Sequence, residues 1–166
     1  MLQIIQHTPL WVFALLALLV LLGVQALRPR DVPIWRVLLV PAAFIVWGVL
    51  SLKPKVAVAP LLALDWLVTA AAGAALAWWT TKLEGVRVDY AANRVHVPGS
   101  VVPLVRNVSI FLAKYCLAAA MAVAPALQGT LSPWDIAVSG LSAGYFIGWL
   151  VRFGLKYRLG RQPQRV

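Results

Sequence analysis

Five long apolar stretches alternate with short polar gaps along this chain. An α-helix needs about 20 residues to cross a bilayer whose hydrocarbon core is about 30 Å thick, and each stretch is close to that length. The pattern therefore predicts an all-α integral membrane protein with five transmembrane helices. The stretches run from Leu10 to Leu27, Ile34 to Leu52, Val56 to Trp79, Val108 to Leu127 and Trp134 to Phe153.

Residues that favour helix ends agree with these spans. Thr8 and Pro9 suit the start of the first helix, and Ser132 and Pro133 suit the start of the fifth. Asp135 would then lie in the first turn, where the helix dipole favours a negative charge, so we expect it to be a capping residue. The predicted helices cover about residues 9–27, 33–52, 56–80, 103–128 and 133–154 of a single membrane domain, 1–166.

Composition excludes a soluble domain, because 62% of the residues are hydrophobic and only 12% are charged. A net charge of +10 would suggest a nucleic-acid partner in a soluble protein. Here the basic residues lie almost entirely between or beyond the apolar stretches, so they predict topology and no nucleic-acid binding. The single cysteine, Cys116, lies inside the fourth stretch and predicts neither a disulfide nor a cysteine metal site.

The basic residues are distributed unequally between the two faces of the membrane. With five spans, twelve Lys and Arg residues fall on one face and two on the other, while Lys114 lies inside a span. The positive-inside rule then predicts an external N-terminus and a cytoplasmic C-terminus. Cleavage of the first stretch as a signal peptide near Val24-Gln25-Ala26 is the alternative, although residues 1–9 lack the basic segment that such a peptide needs.

One segment, between the third and fourth helices, alternates apolar and polar residues with a period of two. This alternation predicts a short cytoplasmic β-hairpin over about residues 86–97. Its loop ends at Asn93, a residue type that tolerates the left-handed conformation. All four valines share one face when Val86 pairs with Val97, Arg87 with His96, Val88 with Val95, and Asp89 with Arg94.

The other face of this hairpin is polar. Opposite charges on neighbouring strands commonly stabilise sheets, so the pattern favours a solvated ladder of cross-strand charges. A ligand site is the alternative. The residues concerned are Arg87, Asp89, Arg94 and His96.

Two ionisable residues, Asp65 and Lys114, lie deep inside predicted spans. Such residues are costly in a bilayer and are functional candidates by default. At about 1.5 Å per residue they reach similar depths, so they are predicted to form an intramembrane polar pair, with Thr69 and Asn107 as supporting polar groups. Alternatively, Lys114 extends to the cytoplasmic headgroups, and Asp65 is neutral or hydrogen-bonded to Thr69 or to a backbone carbonyl.

Glycines recur every four residues in the fifth stretch, at Gly140, Gly144 and Gly148. A repeat of small residues at this spacing forms a flat strip on which a second helix can approach closely. The strip is expected to mediate helix packing, either within one chain or between copies in a homo-oligomer.

An enzymatic function is not expected. His7 and His96 fall on opposite predicted sides of the membrane, and no nucleophile, base and orienting group converge by spacing, so neither a cofactor nor a metal is expected. The leading interpretation is a helix-packed accessory or structural subunit whose partners are the lipid bilayer and a larger membrane protein or a second copy. The alternative is a small-solute or proton-coupled transporter or channel that uses Asp65 and Lys114.

Several motifs are distributed over most of the chain: His7-Thr8-Pro9-Leu10-Trp11, Pro98-Gly99-Ser100 with Pro103-Leu104, Phe111 with Lys114-Tyr115, and the glycine helix through Phe146 and Gly148. Together they resemble a family of small, uncharacterised bacterial inner-membrane proteins. The resemblance implies the bacterial inner membrane but no particular activity. In that membrane, the external N-terminus predicted from the basic residues lies in the periplasm. Where that family has arginine after the final glycine of the last helix, this chain has Trp149, with Arg152 three residues later.

Overall fold

A computed structural model of the chain describes residues 8–57, 59–81 and 83–160. It confirms the five predicted helices and adds a third strand to the predicted hairpin. The helices are α1 (Leu10–Gln25), α2 (Ile34–Val56), α3 (Leu61–Thr80), α4 (Val102–Val123) and α5 (Gln128–Gly160), with a single 3-10 turn at Pro125–Leu127 before α5. The strands are β1 (Arg30–Pro33), β2 (Arg87–Asp89) and β3 (Arg94–Val97).

Four of these helices are long and apolar enough to cross a membrane, which identifies the chain as a membrane protein. They are α2 to α5. The 16 residues of α1 extend about 24 Å, somewhat less than the hydrocarbon thickness of about 30 Å. The count of five spans therefore remains a prediction.

The described residues form two compact units. The first contains the residues up to Pro29 together with Gly99–Asp135, and the second contains Arg30–Pro98 and the residues from Ile136 onward. The first unit thus holds α1, α4 and the start of α5. The second holds α2, α3, the sheet and the rest of α5. The single membrane domain expected from the sequence stays a prediction.

In the first unit, α1 packs against α4 at a glycine. A Cβ atom on Gly23 would lie 2.4 Å from the Leu104 Cδ1 atom and 2.8 Å from the Leu104 Cα atom. Both distances are far below van der Waals contact, so only glycine lets the two helices approach this closely.

The segment that leads into α4 is fixed against the end of α1. A Cβ atom on Gly99 would lie 2.3 Å from the carbonyl oxygen of Leu27. The next residue, Ser100, donates its N–H to the carbonyl of Ala26 at 2.8 Å. Its hydroxyl oxygen accepts a hydrogen bond from the N–H of Val102 at 3.2 Å, which satisfies one of the unpaired donors at the start of α4. Backbone contacts of Gly99 and Ser100 therefore hold the start of α4 against the end of α1.

The second unit contains an antiparallel sheet in the order β1-β3-β2. The hairpin prediction is confirmed in its register, and Asn93 has the expected left-handed conformation with φ of 51°. The paired residues of β2 and β3 are Arg87 with His96, Val88 with Val95, and Asp89 with Arg94.

Strand β1 was not expected from the sequence. It has only four residues and ends in Pro33, so its sequence shows no repeated alternation of apolar and polar residues. The proline is tolerated because β1 lies at the edge of the sheet. Its Val32 pairs with Val95 of β3, which in turn pairs with Val88 of β2. One row of valines therefore crosses the sheet, and Val95 at its centre is completely buried.

The sheet constrains the course of α2 and α3. Strand β1 directly precedes α2, and β3 follows α3 after the hairpin turn. The N–H of Ile34, the first residue of α2, also donates to the carbonyl of Asn93 at 3.3 Å. Because β1 and β3 are hydrogen-bonded, the start of α2 and the segment after α3 lie on the same side of the membrane. This arrangement agrees with two antiparallel spans.

Two helices begin at positions other than those predicted. The third begins at Leu61, because α2 continues to Val56, and Ala57 and Pro60 lie in turns before the helix. The fifth begins at Gln128, directly after the 3-10 turn, and Pro133 lies inside it. Asp135 is therefore in the third turn of α5, so its predicted role as a capping residue is wrong.

Candidate functional site

The glycine strip of α5 lies directly on α3 within the second unit. A Cβ atom on Gly144 would lie 1.9 Å from the carbonyl oxygen of Ala70, a distance no real contact allows. The strip therefore mediates helix packing within the chain, and α3 covers it. The homo-oligomer that the sequence suggested stays a prediction. The same close approach holds at the two flanking glycines: a Cβ atom on Gly140 would lie 2.2 Å from the Thr69 hydroxyl oxygen, and one on Gly148 would lie 2.6 Å from the carbonyl oxygen of Ala74.

The contact is reciprocal, because α3 also contributes a glycine. A Cβ atom on Gly73 would lie 2.2 Å from the carbonyl oxygen of Leu141 on α5. On the same helix, the Thr69 hydroxyl donates to the backbone carbonyl of Asp65 at 2.8 Å, one turn earlier. Thr69 is thus satisfied within its own helix at the point where α5 passes closest, and its hydroxyl does not bind the Asp65 carboxylate.

Asp65 is the fifth residue of α3 and lies about 6 Å along the helix axis from its start. It is therefore nearer to the end of the span than the sequence estimate placed it, because α3 begins later than predicted. Its Oδ2 atom is buried and has no hydrogen-bond partner among the described residues. Asp65 belongs to the second unit and Lys114 to the first, and their pairing stays a prediction.

Lys114 forms an ion pair with Asp135 inside the first unit. Its ammonium group donates to the Asp135 Oδ1 atom and, at 3.3 Å, to the backbone carbonyl of the same residue. The Lys114 and Asp135 side chains are 14% and 7% exposed, so both charged groups are largely buried within the protein. The acid that the sequence analysis assigned to a helix terminus is therefore the counter-ion of the intramembrane lysine.

The helix positions explain why these two residues meet. Lys114 precedes the end of α4 at Val123 by nine residues, and Asp135 follows the start of α5 at Gln128 by seven. At 1.5 Å per residue they lie about 13 Å and about 11 Å from the connection between the helices. A charge at such a depth costs roughly 2.5 to 3.5 kcal/mol on insertion scales, which a pair can offset. The ion pair thus links α4 to α5.

The buried face of α4 carries further polar and aromatic groups around this lysine. Asn107 and Phe111 are buried, and the Asn107 Oδ1 atom accepts a hydrogen bond from the Arg106 Nε atom at 3.1 Å. The Phe111 ring stacks on Tyr115, with centroids 6.3 Å apart. The Tyr115 hydroxyl is hydrogen-bonded to the Thr8 hydroxyl at 2.8 Å. The spacing of four residues between Asn107, Phe111 and Tyr115 places them on one side of the helix.

The polar face of the sheet is exposed and includes a cross-strand contact between two ionisable side chains. His96 approaches Asp31 of β1, with 2.8 Å between the Nδ1 and Oδ1 atoms. The Asp89 Oδ1 atom accepts hydrogen bonds from the N–H groups of Ala91 and Ala92, both at 3.0 Å, and so stabilises the turn. Sequence reasoning missed Asp31 because it missed β1. An open cavity of about 270 Å³ on this face is lined by Asp31, Arg87, Val88, Asp89, Arg94 and His96.

Two basic residues that the sequence analysis used only as topology signals bind the end of α3. Arg152 donates to the carbonyl of Trp78 and, at 2.7 Å, to the carbonyl of Thr81, and its guanidinium lies 5.6 Å from the centroid of the Trp78 ring. Lys156 donates to the carbonyl of Leu83. The carbonyl of Trp78 belongs to the last turn of α3, where carbonyls lack an intrahelical donor, and those of Thr81 and Leu83 follow the helix, so all three need external donors. Arg152 and Lys156 are four residues apart in α5 and so lie on one side of that helix, which was the signal in the sequence for a shared role.

Among the described residues, no group of three or more His, Cys, Asp or Glu side chains is placed to hold a metal ion. No curated protein and no solved structure matches the chain. One family model does match, over residues 1–163 and thus over nearly the whole sequence. The chain belongs to that family, which is described as "Family of unknown function (DUF6622)".

Proposed function

We propose that the protein is a helix-packed accessory or structural subunit of the bacterial inner membrane that binds a larger membrane protein. The observation that carries this proposal is the buried ion pair between Lys114 and Asp135. A cation inside a span is a functional candidate by default, but this one is neutralised by an acid of the next helix and links the two helices. The intramembrane lysine therefore acts in helix packing.

The contact of the α5 glycine strip with α3 supports the same interpretation. Strips of this kind often join separate chains, whereas here the partner helix belongs to the same chain. The outward side of α3 instead presents large apolar side chains, including Leu61, Leu64 and Leu67, each more than half exposed. Such a surface suits contact with lipid or with an apolar helix of a partner protein.

The proposed orientation has the N-terminus in the periplasm, the C-terminus in the cytoplasm and the sheet on the cytoplasmic side. The excess of basic residues on one face supports it. Two exposed residues are predicted to lie on opposite faces of the membrane and can be used to test this orientation. They are Ala92, in the turn between β2 and β3, and Gly129, at the start of α5.

We expect a cysteine at Gly129 to react with a membrane-impermeant maleimide in spheroplasts, and a cysteine at Ala92 to react only after the membrane is opened. Both variants are made in a Cys116→Ser background, because the Cys116 thiol is exposed. The background chain without added cysteines is the control. Labelling of Ala92→Cys from outside would contradict the proposed orientation.

We expect affinity purification of the tagged chain from native membranes to recover a larger membrane protein in stoichiometric amount. An unrelated multi-span protein with the same tag and similar abundance is the control for co-purification in shared lipid. Recovery of the chain alone, in a detergent that preserves known membrane complexes, would contradict the proposal.

The buried Oδ2 atom of Asp65 favours a second candidate, a proton-coupled transporter or channel, because a buried carboxylate oxygen without a hydrogen-bond partner is costly inside a span. Under this alternative the purified chain alone would move protons across reconstituted vesicles. Asp65→Asn would abolish that movement, since an amide neither gains nor loses a net proton near neutral pH.

A further inference from the structure

A cavity of about 740 Å³ lies at the C-terminal end of α3. Its walls come from that end, from β2 and the residues before it, and from the last turns of α5. The volume is within the range of about 300–1,000 Å³ that is usual for small-molecule sites. The residues on which its chemistry depends are Trp78, Val86, Val88, Arg152, Leu155 and Lys156.

The charge of this cavity is positive. Arg152 and Lys156 both line it, and no Asp or Glu is among the described residues that do. Their side chains are held by backbone carbonyls at the end of α3, which orient the cationic groups but do not neutralise them. A guanidinium carries five N–H donors and an ammonium carries three, which is more than these carbonyls accept. Two oriented cations thus remain able to bind an anion.

The rest of the wall is apolar and lies where membrane headgroups are expected. Val86, Val88 and Leu155 form the apolar part. Trp78 and Trp79, the two residues before the last residue of α3, are both exposed, and tryptophan at the end of a span is typical of the membrane interface. Basic groups beside apolar surface at this level match the chemistry of a lipid that carries a negative headgroup.

We propose that this cavity, the headgroup pocket, binds the phosphate-bearing headgroup of an anionic phospholipid. Arg152 and Lys156 donate to the phosphate oxygens, and the apolar wall contacts the glycerol and the first acyl carbons. The bound lipid thereby contacts α3, the sheet and α5 at once. This assignment is independent of the proposed subunit function.

The pocket can be tested by native mass spectrometry of the purified full-length chain, titrated separately with phosphatidylglycerol and phosphatidylcholine. Both lipids carry a phosphate, but only the first has a net negative charge. Each basic residue near a membrane surface contributes about 1 kcal/mol towards binding an anionic lipid, or about fivefold in affinity. Two such residues predict a preference for phosphatidylglycerol of roughly 25-fold.

A matched pair of variants separates specific binding from general attraction to a basic protein. Val86→Glu places a negative charge in the pocket, whereas Val86→Gln removes a similar apolar area without adding charge. Neither variant removes the donors that bind the end of α3, so the fold is retained. We expect Val86→Gln to keep most of the lipid preference and Val86→Glu to lower it at least fivefold. Arg94→Gln, on the exposed face of the sheet, should leave it unchanged.

Three outcomes would overturn the proposal. The first is equal affinity of the wild-type chain for the two lipids. The second is an equal loss of preference in Val86→Glu and Val86→Gln, which would show that the charge of the site is irrelevant. The third is displacement of bound phosphatidylglycerol by millimolar soluble glycerol phosphate, which would assign the pocket to a free phosphate compound. Continued binding of the lipid in that last arm is the expected result.

Discussion

Replacing Gly144 with alanine should destabilise the protein by about 1–3 kcal/mol, even though alanine is normally the better helix former by about 1 kcal/mol. The added Cβ atom would lie 1.9 Å from the carbonyl oxygen of Ala70 and 2.6 Å from its Cα atom. These are backbone atoms of α3, so no side-chain rotation can relieve the overlap. The two helices must separate, and the adjoining contacts of Gly140 and Gly148 weaken with them.

Gly154→Ala is the matched control, because this glycine lies in the same helix and a Cβ atom there would meet nothing within 4 Å. It should leave the melting temperature in detergent unchanged or raise it. Gly144→Ala should lower that temperature, and Gly144→Leu should lower it further or prevent recovery of folded protein. Equal melting temperatures for Gly144→Ala and Gly154→Ala would mean that α3 and α5 do not touch along the glycine strip.

Removing one member of the Lys114–Asp135 pair should lower the free energy of unfolding by about 3–5 kcal/mol, since the other charge would be left buried and unpaired. Lys114→Met keeps the length and the apolar stem of the lysine, and Asp135→Asn keeps the shape of the carboxylate. The double variant should be clearly more stable than the sum of the two losses predicts, because it strands no charge. Melting in detergent of the four proteins measures this coupling.

The same method tests the pair predicted from the sequence. Asp65→Asn combined with Lys114→Met forms a second cycle that shares the lysine variant. Coupling in this cycle would support an interaction of Asp65 with Lys114 and strengthen the transport alternative. Additive losses would mean that the two residues do not interact.

The helices and the hairpin were predictable because their signals are local. Apolar stretches near 20 residues indicate spans, and the alternation around Val88 and Val95 gave the register of β2 and β3 directly. Strand β1 was not predictable, since four residues ending in Pro33 carry no period and become a strand only by pairing with β3. The pairing of β1 with β3 brings Asp31 beside His96.

The partner of Lys114 was missed for a related reason. A Ser-Pro pair before an apolar run is a common helix start, and this signal assigned Asp135 to a cap. In the structure this Ser-Pro pair does not start the helix, because α5 begins at Gln128, directly after the 3-10 turn at Pro125–Leu127. Asp135 consequently lies at a depth similar to that of Lys114. Glycine spacing was ambiguous for a different reason, since a strip on one helix looks the same whether its partner is in the same chain or in another.

Whether the intramembrane charge serves helix packing is most directly tested by exchanging the two charges. Lys114→Asp and Asp135→Lys, each alone, place two like charges together inside the membrane and should yield little folded protein. The combined exchange restores an opposite pair between α4 and α5. We predict that its melting temperature in detergent lies well above that of either single variant. A combined exchange no more stable than the weaker single variant would contradict the account, because the charges would then not meet between these helices.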